Sequence, residues 1–282
     1  MKCFYHNADF DGQCSGAIVK YRYPNCEMYG IDYTDKFPFE LIDDQNETVF
    51  MVDFSIQPFR EMIKLNNLCE LIWIDHHKTA IDNARINNFE TNGLLNIEKA
   101  ACELTWDYLF PFEEIPIAVE MLGRYDIWKY KEHPGSLEFQ YGMRIFEDTS
   151  PKNQIFWTGL FFDSIFINKI VQNGKMILKY QQAVNKKIMD SYSYSVFFEG
   201  LKCQCINSNI FNSSIFDSVW DNELYDAMIV YCYMGDKYKV SMYTDKPGID
   251  VSDICKKYGG GGHVQAAGFP IAKLPKDLLQ NV

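Results

Sequence analysis

What the sequence lacks narrows it first. It has no run of about 18 consecutive apolar residues, so no membrane-spanning helix is expected. The opening stretch MKCFYHNADF has no basic segment leading into an apolar one, and no export signal is expected. A Cys-x-x-Cys pair is missing, which argues against a structural zinc site. Positive charge is in deficit: 27 Lys and Arg stand against 38 Asp and Glu, a formal charge of −11. That balance argues against a protein that tracks long nucleic acid over a broad basic surface. It leaves room for a small phosphorylated substrate, because divalent cations reverse the sign of a local acidic site.

The nine cysteines are odd in number and sit mostly in apolar segments. This pattern fits reduced, buried thiols of a cytoplasmic protein better than a disulfide framework. Cys203 and Cys205 alternate on a strand and read as packing or surface thiols. At 282 residues the chain suggests two domains, and a homodimer is left open.

Short apolar runs alternate with helix-like segments in the first half. Strands are predicted at Lys2–Tyr5, Thr48–Asp53 and Leu71–Ile74, with helices over Gln13–Tyr23, Ile56–Asn66, Ala100–Leu109 and Pro116–Gly123. Such alternation implies a parallel α/β sheet, which binds ligands beyond the carboxyl ends of its strands. Asp9, Asp53 and Asp75 all fall at or just past strand ends. Ile165–Asp190 reads as a long helix interrupted by Gly174. Beyond it the chain becomes strand-rich, at Val196–Phe198, Lys202–Ile206, Ala227–Tyr233 and Tyr238–Tyr243. Helices are expected at Ser213–Glu223 and, capped by Asp250 or Ser252, at Val251–Lys257. The organisation read from this is an α/β domain over 1–150, a helical connector over 151–192 and a smaller α+β domain over 193–282.

Five segments carry chemistry. In His6–Gly12, Asp9 and Asp11 alternate along an extended loop and address either a metal or the cap of the next helix. Asp53 is a strand-end carboxylate, with Ser55 an equally good helix cap. Asp75-His76-His77 packs three metal-ligand side chains after a strand. Asp126 follows Arg124 at a helix end, an arrangement that is usually solvated. Gly259–Gly262 and His263 form a loop whose backbone can approach an anion closely. Of only five histidines, His6, His76, His77 and His263 fall inside these segments. Phe10, Tyr125 and Trp128 are aromatics near them that suit base stacking, or simple packing.

The order Asp-x-Asp-Gly, Val-Asp, Asp-His-His, an Asp after a helix, then Gly-Gly-Gly-Gly-His-x-x-Ala-Ala-Gly resembles the DHH/DHHA1 phosphoesterases over nearly the whole chain. The resemblance implies a parallel-sheet DHH domain, a DHHA1-type domain and an active site in the cleft between them. It implies two divalent ions, Mn²⁺ preferred and Mg²⁺ a substitute. One would be bound by His6, Asp9 and Asp53, the other by Asp11, Asp53, His76 and Asp126. Asp75 and His77 would act beside them in catalysis. Gly260, Gly261, Gly262, His263 and Arg124 would hold the substrate. Two features depart from the family: two residues separate His6 from Asp9, and Val264 stands where many members have a basic residue. The activity implied is hydrolysis of short oligonucleotides or linear or cyclic dinucleotides to mononucleotides. The alternatives are a 3′-phosphonucleotide monoesterase, a RecJ-like single-strand exonuclease and a nucleotide sensor without turnover.

Overall fold

The computed structural model describes residues 1–43 and 45–279. The chain divides into two compact units, Met1–Ile177 and the remainder from Leu178.

In the first unit, β1 (Lys2–His6), β2 (Glu27–Ile31), β3 (Thr48–Val52) and β4 (Glu70–Ile74) form a parallel sheet in the order β2-β1-β3-β4. The side chains alternate between two apolar layers, as a pleated strand requires. Phe4, Val49, Met51, Leu71 and Trp73 face one layer with Met62 and Leu65 of α2 (Arg60–Asn66) and Ala80 and Ala84 of α3 (Lys78–Ile86). Cys3, Tyr5, Phe50, Val52 and Ile74 face the other, with Val19 of α1 (Phe10–Arg22) and Leu104 of α4 (Ala101–Leu109). Burial on both faces is why these strands read as continuous apolar runs.

A helical core lies beside this sheet. It joins α1 and α4 to α5 (Ile117–Asp126), α6 (Ser136–Met143), α7 (Gln154–Phe162) and the first turns of α8 (Ser164–Tyr192) around Trp106, Trp157, Phe139 and Ile170. Gly174 has a packing reason. A Cβ there would lie 1.6 Å from the Glu138 carbonyl, so α6 and α8 meet backbone to backbone.

The second unit carries a six-stranded sheet in the order β5-β6-β7-β8-β10-β9. These strands are β5 (Tyr194–Phe198), β6 (Leu201–Asn207), β7 (Ala227–Tyr233), β8 (Tyr238–Tyr243), β9 (Gly261–Gly262) and β10 (Ala266–Ile271). The β6–β7 pair is parallel and the other pairs are antiparallel. α9 (Val251–Lys257) packs Val251 and Cys255 onto a core that includes Cys203, Cys205, Ile229, Val240 and Phe269. Asp250 caps it by accepting from the Ser252 N–H.

Several expectations need correcting. The helix predicted over Ser213–Glu223 shrinks to one 3-10 turn at Ser213–Phe216, where Asn212 caps Ser214. The helix expected from Ile56 starts at Arg60, beyond Pro58, which has no N–H to give. β2, α3, α6, β9 and β10 lie outside the predicted elements, and α7 is a separate helix within the expected helical connector. No disulfide forms: eight of the nine cysteines are buried thiols and Cys232 is half-buried. Among the described residues no helix is long and apolar enough to cross a membrane.

Candidate metal centre

The carboxyl ends of β1, β3 and β4 deliver His6, Asp53 and Asp75 to one edge of the sheet. At β1 the chain turns at once into α1. Gly12 permits the turn, since a Cβ there would fall 2.2 Å from the His6 carbonyl oxygen. Asp9 caps α1 through Oδ1, which accepts from the Gly12 N–H at 2.9 Å. Its other oxygen lies 3.1 Å from His6 Nδ1. The capping and the site-facing readings of Asp9 therefore hold together, one oxygen each.

Asp53 is the pivot. Its backbone is left-handed, with φ at +56°, a region rarely occupied by residues other than glycine although tolerated by Asp. Its N–H still bonds the Ile74 carbonyl at 2.9 Å, so the β3–β4 ladder fixes the twist. Asp53 Oδ2 lies 3.5 Å from His6 Nδ1 and Oδ1 lies 3.2 Å from His76 Nε2. One buried carboxylate thus spans two groups of ligand-type side chains.

On the far side of Asp53, His76 Nε2 also meets Asp11 Oδ2 and Asp126 Oδ2, both at 3.3 Å. Asp11 reaches there because its two oxygens accept the Cys102 and Ala101 N–H groups, at 2.8 and 2.9 Å. α4 has only an alanine, Ala100, at its cap position, and Asp11 takes over that task from the other end of the sequence. The remaining lone pairs of Asp11 face the imidazole. Asp126 arrives on the last turn of α5. Nearby, Asp75 Oδ1 accepts from the backbone N–H groups of His76 and His77 and lies 2.8 Å from His77 Nδ1. Its own backbone is pinned by Leu94 and Asn96.

Three groups in this unit have ligand atoms within 4.8 Å of one another: His6, Asp9 and Asp53; Asp11, His76 and Asp126; and Asp53, Asp75 and His77. Their protonation equilibria are shifted by burial and by one another. Burial opposes a charge on His6, but the Asp53 and Asp9 carboxylates outweigh it and raise its imidazole to about 11. Burial likewise opposes a charge on His76, and Asp53, Asp126 and Asp11 raise it well above its usual range. Burial pushes Asp126 up to about 6, with His76 opposing and Asp9 and Asp53 adding to the push. Burial, then the Asp53 and Asp126 charges, raise Asp11. Asp53 Oδ1, His6 Nδ1 and Asp75 Oδ2 are also buried without a well-formed hydrogen bond. Orphaned carboxylate and imidazole atoms of this kind fit a hard or borderline divalent ion.

Other expected residues stand elsewhere. The Arg124 guanidinium pairs with the fully buried Glu103 at 3.1 Å, fastening α5 to α4. In the second unit, Gly261 and Gly262 form β9 and pair with Gly268 and Ala267. The Gly260 N–H is committed to the Cys255 carbonyl at 3.0 Å, so it closes α9 and does not face a ligand. The loop turns at His263, whose N–H bonds the Ala266 carbonyl at 2.8 Å. Gly262, at φ +137°, leaves no room for a side chain, since a Cβ would lie 2.6 Å from that same carbonyl.

The sequence reading missed Asp32 and Tyr33, which follow β2. Asp32 Oδ1 lies 3.9 Å from His6 Nε2, on the opposite side of the imidazole from Asp9 and Asp53. The Tyr33 ring is edge-on to His6 and His77. Predicting β2 from the sequence would have exposed both, since its end joins the same sheet edge.

No family model matches the chain. It is 29% identical to an uncharacterized protein of Acanthamoeba polyphaga mimivirus, across 94% of this chain and 66% of that protein. It is 22% identical to the oligoribonuclease NrnB of Bacillus subtilis (strain 168), across 96% of this chain and 73% of that one. Among solved structures it is similar to the DHH domain of a member of the s1p family of ribosomal proteins. There the TM-score is 0.59 at 16% identity, over 99% of this chain and 84% of the other. It is also similar to PggH, a pGpG-specific phosphodiesterase from Vibrio cholerae, with TM-score 0.54 at 15% identity over 96% and 93%. At these identities the two structures show the fold.

Proposed function

We propose that this member of the DHH phosphoesterase family is a two-metal phosphodiesterase that hydrolyses short oligonucleotides or linear and cyclic dinucleotides to mononucleotides. The observation that carries this reading is Asp53, buried and shared between the His6 and His76 groups. His6, Asp9 and Asp53 would hold one ion, and Asp11, Asp53, His76 and Asp126 the second. Ions bound there supply Lewis acidity and lower the pKa of a water enough to make a nucleophile at neutral pH. Mn²⁺ suits the mixed carboxylate and imidazole set, with Mg²⁺ a substitute.

The protein's own groups do the rest. Asp75 orients the His77 ring through its Nδ1, 2.8 Å from Asp75 Oδ1. Burial opposes a charge on His77 and the Asp75 carboxylate favours one, raising its pKa; beside the proposed ions the ring would face a phosphoryl or leaving oxygen. Asp11 is tied to the first N–H groups of α4, which keeps its carboxylate still while charge moves nearby. Gly261, Gly262 and His263 are assigned to a substrate phosphate on the family resemblance. The oligoribonuclease and pGpG phosphodiesterase relatives support the substrate class, as does the acidic net charge.

The test is a hydrolysis panel with Mn²⁺. It contains di- to pentanucleotides, cyclic dinucleotides, 3′-phosphoadenosine 5′-phosphate and long single-stranded DNA. Mononucleotide release from the short diesters is expected. Release of inorganic phosphate from the 3′-phosphonucleotide alone would replace this reading with a monoesterase. Metal binding with no turnover of any member would replace it with a sensor.

A further inference from the structure

Tyr33 stands just beyond β2, on the sheet edge that carries the metal centre. Its ring centroid lies 5.4 Å from that of His6 and 6.2 Å from that of His77, edge-on to both. Behind it lies Phe54, 4.7 Å away and 3% exposed, which in turn sits 6.2 Å from His6. Tyr33 is therefore braced by one buried aromatic and by imidazoles from β1 and the loop after β4. It is nonetheless 47% exposed. Phe10, an aromatic the sequence suggested for stacking, packs instead against the helical core.

A rigid aromatic ring, held against two site histidines and open to solvent, has a definite chemical use. The acidic surroundings disfavour an uncompensated anion beside it. A flat, neutral, weakly polar group gains from covering it, because stacking removes apolar surface from water and loses little side-chain freedom. A nucleobase is such a group, and it lies one sugar away from a phosphate bound at the ions.

We propose that Tyr33 forms a base-stacking subsite, its open face receiving a nucleobase of the nucleotide whose phosphate lies at the metal centre. The inference rests on the proposed diester hydrolysis and adds to it what distinguishes a nucleotide from other phosphoesters. Since every base has a π-face, the subsite tells nucleotides from base-free esters and does not choose among bases.

The test compares a dinucleotide with the same dinucleotide lacking one base, using wild type, Tyr33→Leu and Tyr33→Phe with Mn²⁺. Leucine fills the space without a π-face, and phenylalanine keeps the ring. Tyr33→Leu is expected to raise KM for the intact dinucleotide roughly 5- to 150-fold, the range stacking free energies imply. KM for the base-free analogue stays the same, and Tyr33→Phe behaves as wild type on both. An equal loss on both substrates, or unchanged discrimination in Tyr33→Leu, overturns the subsite. The reaction and the subsite are separated by calorimetric binding of a nucleoside monophosphate against ribose 5-phosphate. If wild type hydrolyses no diester yet prefers the nucleotide, and Tyr33→Leu loses that preference, the reaction fails and the subsite stands. If wild type shows no preference, the subsite fails.

Discussion

The two halves of the metal centre are built differently. The His76 half is the more sealed: the side chains of His76 and Asp11 are each 1% exposed, with only Asp126 reaching 26%, and Asp11 is anchored by backbone donors of α4. The His6 half is open, with Asp9 39% and His6 12% exposed, and its anchor is the cap that Asp9 makes on its own helix. Preorganised, desolvated ligands bind an ion more tightly than ligands that must be gathered from solvent. On the proposed two-ion reading, the sealed half would be the permanent seat and the open half the one that exchanges.

The broadest way to break this contrast is Asp53→Ala, since Asp53 belongs to both halves. We expect loss of both bound ions by calorimetry and a fall in turnover of about 10³-fold or more, several kcal/mol of barrier. Near-normal metal-dependent activity would refute the shared role. The next test sets the halves against each other. His76→Ala should abolish the tighter of two Mn²⁺ binding steps. His6→Ala should leave that step and weaken the other by about 10- to 100-fold, the scale seen when a metal site is disturbed. The same step lost in both variants would erase the distinction.

A smaller effect probes the open half through its backbone. Gly12→Ala drives a Cβ against the His6 carbonyl and should lower stability by about 3 kcal/mol, read from denaturant unfolding. It should weaken the exchangeable ion more than the permanent one. The smallest effect concerns the Arg124–Glu103 pair beneath the sealed half. Burial raises the Glu103 pKa while Arg124 pulls it down. In Arg124→Ala the folded-state pKa moves higher still. A carboxyl with a raised folded pKa loses stability as pH climbs from its unfolded value of about 4.3 toward its folded one. The variant should therefore match wild type near pH 4 and be weaker by about 1–2 kcal/mol at pH 7. A deficit independent of pH would show that the pair acts through packing alone.

Much of this site was legible because its residues sit at strand ends. Apolar runs before Asp53 and Asp75 mark β3 and β4, and a parallel sheet brings such ends together. β2 was not legible. Glu27–Ile31 is short and contains Gly30, whose bare Cα is needed because the Asn7 side chain lies 2.9 Å from where a Cβ would be. Without that strand, Asp32 and Tyr33 look like loop residues. α3 was hidden because it starts directly at Lys78 with no side-chain cap hydrogen bond at His77, so no local start signal marks it. The cap that Asp11 makes on α4 spans 90 residues of sequence, and no local pattern encodes it. Two residues separate His6 from Asp9, yet Asp9 bends back within the α1 cap until its second oxygen lies 3.1 Å from the imidazole, a contact the spacing alone does not reveal. In the second unit, Ser213–Glu223 has helical spacing, yet tertiary packing stops it after one turn at Phe216, a buried side chain.

The left-handed backbone of Asp53 has a practical consequence for experiment. Most replacements there change two things at once, the charge and the twist that the β3–β4 ladder holds. Asparagine tolerates the same φ and matches the shape of aspartate. Asp53→Asn would thus keep the scaffold while removing the charge that the proposed ions would share, and is the variant in which to look for a bound, uncleaved nucleotide.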